Sequence, residues 1–384
     1  MTKQISFGDI NKFLFYPFIA GILKLFLDFF LDYVDKEFAK HSLTNLFNES
    51  LGIFLAVIPF LIDKITNHNF EFKFGKKNYL IILCSFLYFI HKYFMVCITH
   101  FDMNNLWLID IIFLSLFSYL ILDQKIYKHQ ILSFIVLFVC SIVFFYFYFR
   151  TQETQEMKFV DFLIMAFSEL TFSVSHVLIK YIFDNFEDCS VWEIGTYEGF
   201  LCCLLYLLLL IICSNCEIEE GSKVLRVFNH INHDGKIYLD TFGYFKEMGG
   251  FEIGMFLIRM IIRACYYSSI LFTLKYLTPS HIVIILLSDE IYISLQIDAT
   301  GDVAYIITTI ILYPIIYFSI FVFTEIIELN FFGLSQNTRK NIRKRYVKEQ
   351  EQDVYITLED KKTFEENNRG NEEISIRDEE KGRD

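Results

Sequence analysis

Proline is almost absent from this sequence, four residues in 384, so each placement carries weight. A proline removes a backbone donor and its ring clashes with the carbonyl four residues back, so a helix keeps one in its first turn or kinks around it. Pro279 follows Thr278 and reads as a helix start, Thr as N-cap and Pro at the first position. Pro17, Pro59 and Pro314 fall inside apolar runs, where each permits a kink. Also missing are a glycine-rich phosphate loop, the helix motif of zinc proteases and the nucleophile elbow of hydrolases. Enzymatic chemistry therefore has no support, and no cofactor or metal is implied. The nine cysteines form no metal-binding pattern and sit mostly in apolar stretches (Cys84, Cys140, Cys202, Cys203, Cys265), where cysteine behaves as a small apolar residue. Cys213 and Cys216 make a CxxC without a second pair or a βαβ setting, which reads as a chance pair or a luminal disulfide rather than a zinc or redox site. An excess of base is lacking as well. The net charge is -12, and residues 349–384 hold 13 acids against 6 bases, so the tail supplies 7 of the 12 and nothing points to nucleic acid.

What is present in quantity is apolar length. Hydrophobic residues make up 54% of the chain, with a mean hydropathy of +0.41, and runs of about 20 apolar residues recur along most of it, the length a bilayer requires. A soluble multidomain protein is excluded, and the lipid bilayer is the chain's first partner. Ten spans are expected, at about 13–34, 48–66, 78–98, 104–122, 129–149, 159–180, 192–214, 251–275, 279–297 and 303–325. The fold class is all-α, polytopic. An amino terminus in the cytosol places Lys64, Lys73, Lys76, Lys77, Lys125, Lys128 and the cluster Arg339, Lys340, Arg343, Lys344, Arg345 on the cytosolic side, while residues 99–103 and 298–302 carry no Lys or Arg. Loop 215–250 breaks the bias, but long loops translocate largely regardless of charge.

Charge within the spans marks the candidate site. Arg259 and Arg263 share a helical face roughly 12 to 18 Å from the nearer span end, too deep to snorkel out. Tyr266 and Tyr267 follow a turn later. Arginine's planar fork suits phosphate or carboxylate, which makes an anion site one reading; a structural ion pair with Asp289, Glu290 or Asp110 is the other. Lys92, with Tyr88 on its face, is a third cation. Glu169, Ser173, His176 and Lys180 form a polar stripe on span six that lipid would not accept, so it lines a cavity or a helix contact, with a Glu169 to His176 hydrogen bond expected. The substrate-binding set is therefore Arg259, Arg263, Tyr266, Tyr267, Lys92, Tyr88, Glu169 and His176, with Asp110, Asp289 and Glu290 as coupling or structural acids.

Ten spans divide into two sets of five, residues 13–149 and 150–325, and because five is odd the second set enters the membrane from the opposite face, an inverted repeat. Asp110 and Asp123 at span four, and Asp289 and Asp302 at span nine, share a separation of thirteen residues. Residues 1–12 form a cytosolic amino terminus. Residues 326–384 form a cytosolic tail of disordered composition, in which Tyr355 and Leu358 fit a tyrosine-based signal for sorting adaptors.

The segment IDIIFLSLFSYLILDQKIYKHQILSFIVLFVCSIVFF (109–145) resembles helices four and five of the drug/metabolite transporter superfamily (EamA-like), and SILFTLKYLTPSHIVIILLS (269–288) resembles its junction of helices eight and nine. VWEIGTYEGFLCCLL (191–205) is similar to the start of helix seven in solute carrier family 35, subfamily F, with its Glu198-Gly199 pair. Asp123 stands where the family usually has Glu, and Leu122 where it has Gly. The resemblance implies a solute transporter working by alternating access on a nucleotide-sugar or nucleotide-like metabolite, in an endomembrane (Golgi or endolysosomal) rather than the plasma membrane. The alternative is a non-transporting membrane scaffold or sorting receptor on the same fold.

Overall fold

Backbone polar groups surrounded by lipid can be satisfied only within their own segment, and the described chain is accordingly built mostly of α-helix. The computed structural model describes residues 13–27, 42–66, 75–98, 107–151, 159–218, 230–233, 236–285, 303–327, 329, 338 and 341. Its helices are α1 (Phe15–Phe26), α2 (Ser42–Phe54), α3 (Val57–Thr66), α4 (Lys76–Ile98), α5 (Trp107–Leu122), α6 (Lys128–Thr151), α7 (Phe159–Asn185), α8 (Val191–Ser214), the short α9 (Gly243–Glu247), α10 (Gly250–Tyr276) and α11 (Val303–Phe323), with a 3-10 turn at Pro279–Ile282. Among the described residues, five segments are long and apolar enough to cross a membrane: Ser42–Thr66, Lys76–Met95, Leu163–Asn185, Val191–Ser214 and Gly250–Tyr276. Two contact units divide the chain, residues 1–126 with 130–327, and residues 127–129 with 328–384. The description below concerns the first.

The distribution of side chains is inverted relative to a soluble protein. Outward positions hold Ile62, Ile82, Ile142, Phe200, Leu208, Ile212 and Ile261, all exposed, while Glu49, His91, Asp110, Glu169, Lys180, Glu198 and Arg259 are buried. Water would reward the opposite arrangement, and lipid rewards this one. The chain is a helical membrane protein.

Helix starts follow local chemistry. Ser190 caps α8, its hydroxyl accepting from the Glu193 amide at 3.0 Å, and Glu193 then pairs with Lys77 of α4 at 2.7 Å. Glu252 accepts the Gly249 amide at 3.0 Å at the start of α10. The prolines divide as their positions dictate. Pro59 stands just after a break: the Leu55 carbonyl, which its missing N–H would have met, accepts instead from Ile58 at 3.1 Å, and Leu55–Ala56 separates α2 from α3. Pro17 causes no kink, because it lies in the first turn of α1 where its donor is not needed. Pro314 stays inside α11. Pro279 does open a helical turn, but the Thr278 hydroxyl meets the His281 ring at Nδ1, 2.9 Å away, rather than a backbone amide.

Asp123 ends α5 with φ +52°, a left-handed conformation in which its Cβ is crowded. The neighbouring Gln124 amide closes the end on the Ser118 carbonyl at 3.2 Å. Asp123→Gly is expected to raise stability by roughly 0.5–1 kcal/mol through relief of that crowding, read as a rise in the thermal unfolding midpoint of detergent-solubilised protein; a fall would show that the Asp side chain contributes more than its backbone costs.

Packing centres on α2, α4, α7, α8 and α10. Helix α2 lies against α8 and α10, α4 against α7 and α8, α7 against α5, and α1 against α10. The main apolar cluster includes Ile53, Ile81, Ile194, Tyr206, Leu271 and Leu274. Loop 215–250 holds an element absent from the all-α expectation, a small antiparallel sheet of β1 (Glu217–Ile218), β2 (His230–His233) and β3 (Lys236–Leu239) in the order β1-β3-β2. Its exit is tied to the helices by Thr241, which donates to the Leu210 carbonyl at 3.0 Å and accepts at its own carbonyl from Thr44 at 3.1 Å.

Candidate functional site

Glu49 is the eighth residue of α2 and is 6% exposed. A carboxylate at such a position demands compensation, and three side chains supply it at one oxygen, Oε1. Lys92 Nζ lies 3.0 Å away, the Tyr88 hydroxyl donates at 3.0 Å, and Arg263 Nη1 lies at 3.5 Å. Tyr88 and Lys92 are four apart on α4 and so share a face. Arg263 sits midway along α10, about 20 Å from either end. Both cations also lie over rings, Lys92 at 5.6 Å from the Tyr88 centroid and Arg263 at 5.8 Å from Tyr266. Of the three charged groups the carboxylate is the most enclosed: its side chain is 7% exposed, against 20% for Lys92 and 14% for Arg263. Arg263 Nη1 itself is buried, so what exposure the two cations have lies on other atoms of their side chains.

Glycine makes this convergence possible. Gly52, one turn beyond Glu49, faces α10 so closely that a Cβ there would stand 2.7 Å from both Arg263 Cβ and the Met260 carbonyl oxygen. Asn48 locks the same face, its amide donating to the Phe256 carbonyl at 3.1 Å. Asn48-Glu49-Ser50 fits the Asn-x-Ser pattern of a glycosylation site, but Asn48, 1% exposed, is buried in this helix contact.

A second carboxyl group lies across the interface. Glu198 is the eighth residue of α8 and is fully buried. Neither of its oxygens makes a hydrogen bond of good geometry, although the Tyr267 hydroxyl stands beside it. Tyr267 in turn meets Tyr88 edge-on with ring centroids 5.4 Å apart. The path Glu49, Tyr88, Tyr267, Glu198 therefore joins four helices.

Other expected residues fall elsewhere. Arg259 is buried one turn before Arg263. The stripe on α7 is buried throughout, Glu169, Ser173, His176 and Lys180 alike, but it is not tied as expected. His176 donates from Nδ1 to the Phe172 carbonyl at 2.8 Å, its Nε2 makes no hydrogen bond, and no bond to Glu169 exists. The backbone carbonyl four residues back is simply nearer than a carboxylate a further turn away. Lys180 pairs with Asp184 at 2.9 Å. His91, unremarked in the sequence, docks α4 on α7: Ser168 Oγ lies 3.0 Å from its Nδ1 and donates to its carbonyl at 3.0 Å, with Phe172 ringed between His91 and His176. Asp110 is buried in the first turn of α5. Asp289, Glu290, Asp302, Tyr355 and Leu358 lie outside the described residues, which include only Asp110 and Asp123 of the thirteen-residue spacing. The carboxylate beside Arg263 is Glu49, which sequence reading passed over because it stood in a glycosylation pattern at a span edge. The signal that marks it is an acid three residues before a glycine in an apolar helix, as Glu198 stands one before Gly199.

No family model and no curated protein matches this chain. A solved structure described only as "Crystal structure of protein" superposes on it with a TM-score of 0.55 at 10% identity, covering 82% of this chain and 99% of its own. That likeness concerns the fold alone.

Proposed function

We propose that this protein is a transmembrane carrier of a small anionic metabolite, working by alternating access on a ten-helix inverted repeat. The observation that carries the reading is the pair of cations on one carboxylate oxygen, Lys92 and Arg263 on Glu49, with Arg263 midway along α10. Phosphate and carboxylate groups are the ligands such a pair accommodates, and the aromatic neighbours Tyr88, Tyr266 and Tyr267 suit a ring-bearing solute such as a nucleotide or nucleotide sugar. A protein serving only as scaffold has no use for such charges, because each costs roughly 2.5–3.5 kcal/mol to insert.

The repeat is supported by helix pairing. Numbering the spans so that α1 is one, α2 with α3 two, α4 three, α7 six, α8 seven and α10 eight, exchange of each span with the one five places on turns the α1·α10 contact into α7·α4. The same exchange turns α2·α10 into α8·α4 and maps α2·α8 onto itself. That is the behaviour of two halves related by a pseudo-two-fold axis. On this reading Glu49 and Glu198, each eighth in its helix, would correspond.

Uptake into liposomes by purified protein, against a panel of nucleotide sugars, nucleotides and organic anions, tests the function. Lys92→Ala leaves Glu49 held by Arg263 and Tyr88, so the fold should survive. Uptake of the transported anion should fall tenfold or more, since a charge-assisted contact contributes about 1.5–3 kcal/mol. Normal uptake by Lys92→Ala and Arg263→Ala removes the anion site, and no uptake of any panel member by the wild type removes the carrier.

A further inference from the structure

The two carboxyl groups at matching positions of α2 and α8 are held in opposite ways. Glu49 has two cations and a tyrosine hydroxyl at one oxygen. Glu198 is completely enclosed, and the Tyr267 hydroxyl stands beside it without good hydrogen-bond geometry. The groups facing it are Cys84 and Tyr88 from α4, Tyr267 from α10 and Cys202 from α8 itself. The one ionisable residue of α2 is Glu49, itself an acid, and Asp63 and Lys64 of α3 lie on the far side of the Ala56–Gly195 contact. Among the described residues, then, no cation is placed to balance a negative charge on Glu198, and an unbalanced carboxylate in such a place is heavily penalised. The neutral acid is the form that fits, its proton within reach of the Tyr267 hydroxyl.

A neutral acid locked in apolar packing would be an inert defect, but this one touches the charge cluster through a short path. Tyr267 stands between Glu198 and Tyr88, and Tyr88 donates to Glu49. Any rearrangement that moves Lys92 and Arg263 onto an incoming anion frees Glu49 and Tyr88, and so changes what Tyr267 can offer to Glu198. We infer that Glu198 is a proton-binding site: its carboxyl group takes a proton from one side of the membrane and releases it to the other as the two halves exchange, tying proton movement to the anionic solute held beside Glu49. The coupling rests on the carrier reading above; the proton site does not.

The experiment has two arms. Infrared spectra of protein in lipid nanodiscs, titrated over pH, should show the carbonyl band of a protonated carboxylic acid that disappears on raising pH. Glu198→Gln should abolish that band, while Glu193→Gln, on the same helix but paired to Lys77, should keep it. In liposomes an imposed pH gradient should drive accumulation of whichever nucleotide sugar, nucleotide or organic anion the wild type takes up. Glu198→Gln should lose that accumulation and retain exchange of labelled for unlabelled solute. A band that is missing, that fails to titrate, or that survives in Glu198→Gln overturns the proton site. Gradient-driven accumulation that persists in Glu198→Gln overturns the coupling. A wild type that moves no panel solute overturns both carrier and coupling, and the infrared arm still decides the proton site.

Discussion

Glu49→Ala is expected to unfold this protein more readily than any other single charge removal at the site. Lys92 and Arg263 would keep their enclosed positions and lose the carboxylate they share, and leaving a buried charge without its partner costs about 3–5 kcal/mol. The Tyr88 hydroxyl would lose its acceptor at the same time. Glu198→Gln removes a carboxyl group of the same kind from α8, yet no described cation depends on it, so its cost should stay below about 1 kcal/mol. Thermal unfolding of the two variants in the same detergent gives the comparison directly. Equal losses would mean that the ion pairs on Glu49 contribute little, and would weaken the view of the cluster as the organising polar contact of α2, α4 and α10.

The second large effect concerns packing. A methyl group at Gly199 would stand 2.3 Å from the Phe54 nitrogen, 2.5 Å from its Cα and 2.7 Å from the Ile53 carbonyl carbon. These are backbone atoms, which cannot rotate aside, so α2 and α8 must separate. Gly199→Ala should cost roughly 3 kcal/mol, at the upper end of overpacking penalties, and Gly199→Leu should prevent accumulation of folded protein. Gly195, four residues earlier on the same face, would place its methyl 2.9 Å from Ala56 Cβ, a softer neighbour. The two glycines form the small-residue spacing that lets membrane helices approach closely. Gly254 of α10 has nothing within 4 Å of such a methyl, so Gly254→Ala should be neutral or gain up to about 1 kcal/mol from helix propensity. Fluorescence-detected size-exclusion profiles and melting curves of the three alanine variants should rank Gly199 worst, then Gly195, with Gly254 unharmed. A different order would place the α2·α8 contact elsewhere.

Helix positions were largely legible in the amino acids, because lipid imposes one rule on every residue of a span. Val191–Ser214 and Gly250–Tyr276 lie within two residues of the spans read at 192–214 and 251–275. The site was legible in its cations and tyrosines, since a charge in an apolar run announces itself. Its carboxylate was not. Glu49 belongs to a segment with Asn48 and Ser50 that looks like a polar loop, and only Gly52, Asn48 and α10 closing over it make that segment a buried helix face. The Glu169 to His176 bond failed for a related reason. Spacing puts two residues on one face, but which acceptor a ring nitrogen takes depends on rotamer and neighbours, and the Phe172 carbonyl was closer at hand.

By itself the sequence determined that this chain lives in a membrane as helices, that residues 349–384 are acidic, and that Lys92, Arg259 and Arg263 fall within apolar runs. These follow from local rules, in which hydrophobic length and the cost of burying charge act on each segment separately. Which acid meets those cations, why Gly199 has to be glycine, and why the carboxyl groups of Glu49 and Glu198 have opposite surroundings were decided by tertiary structure. Each depends on distances between segments well separated in the chain, and no span carries in its own composition the identity of the helix that will press against it.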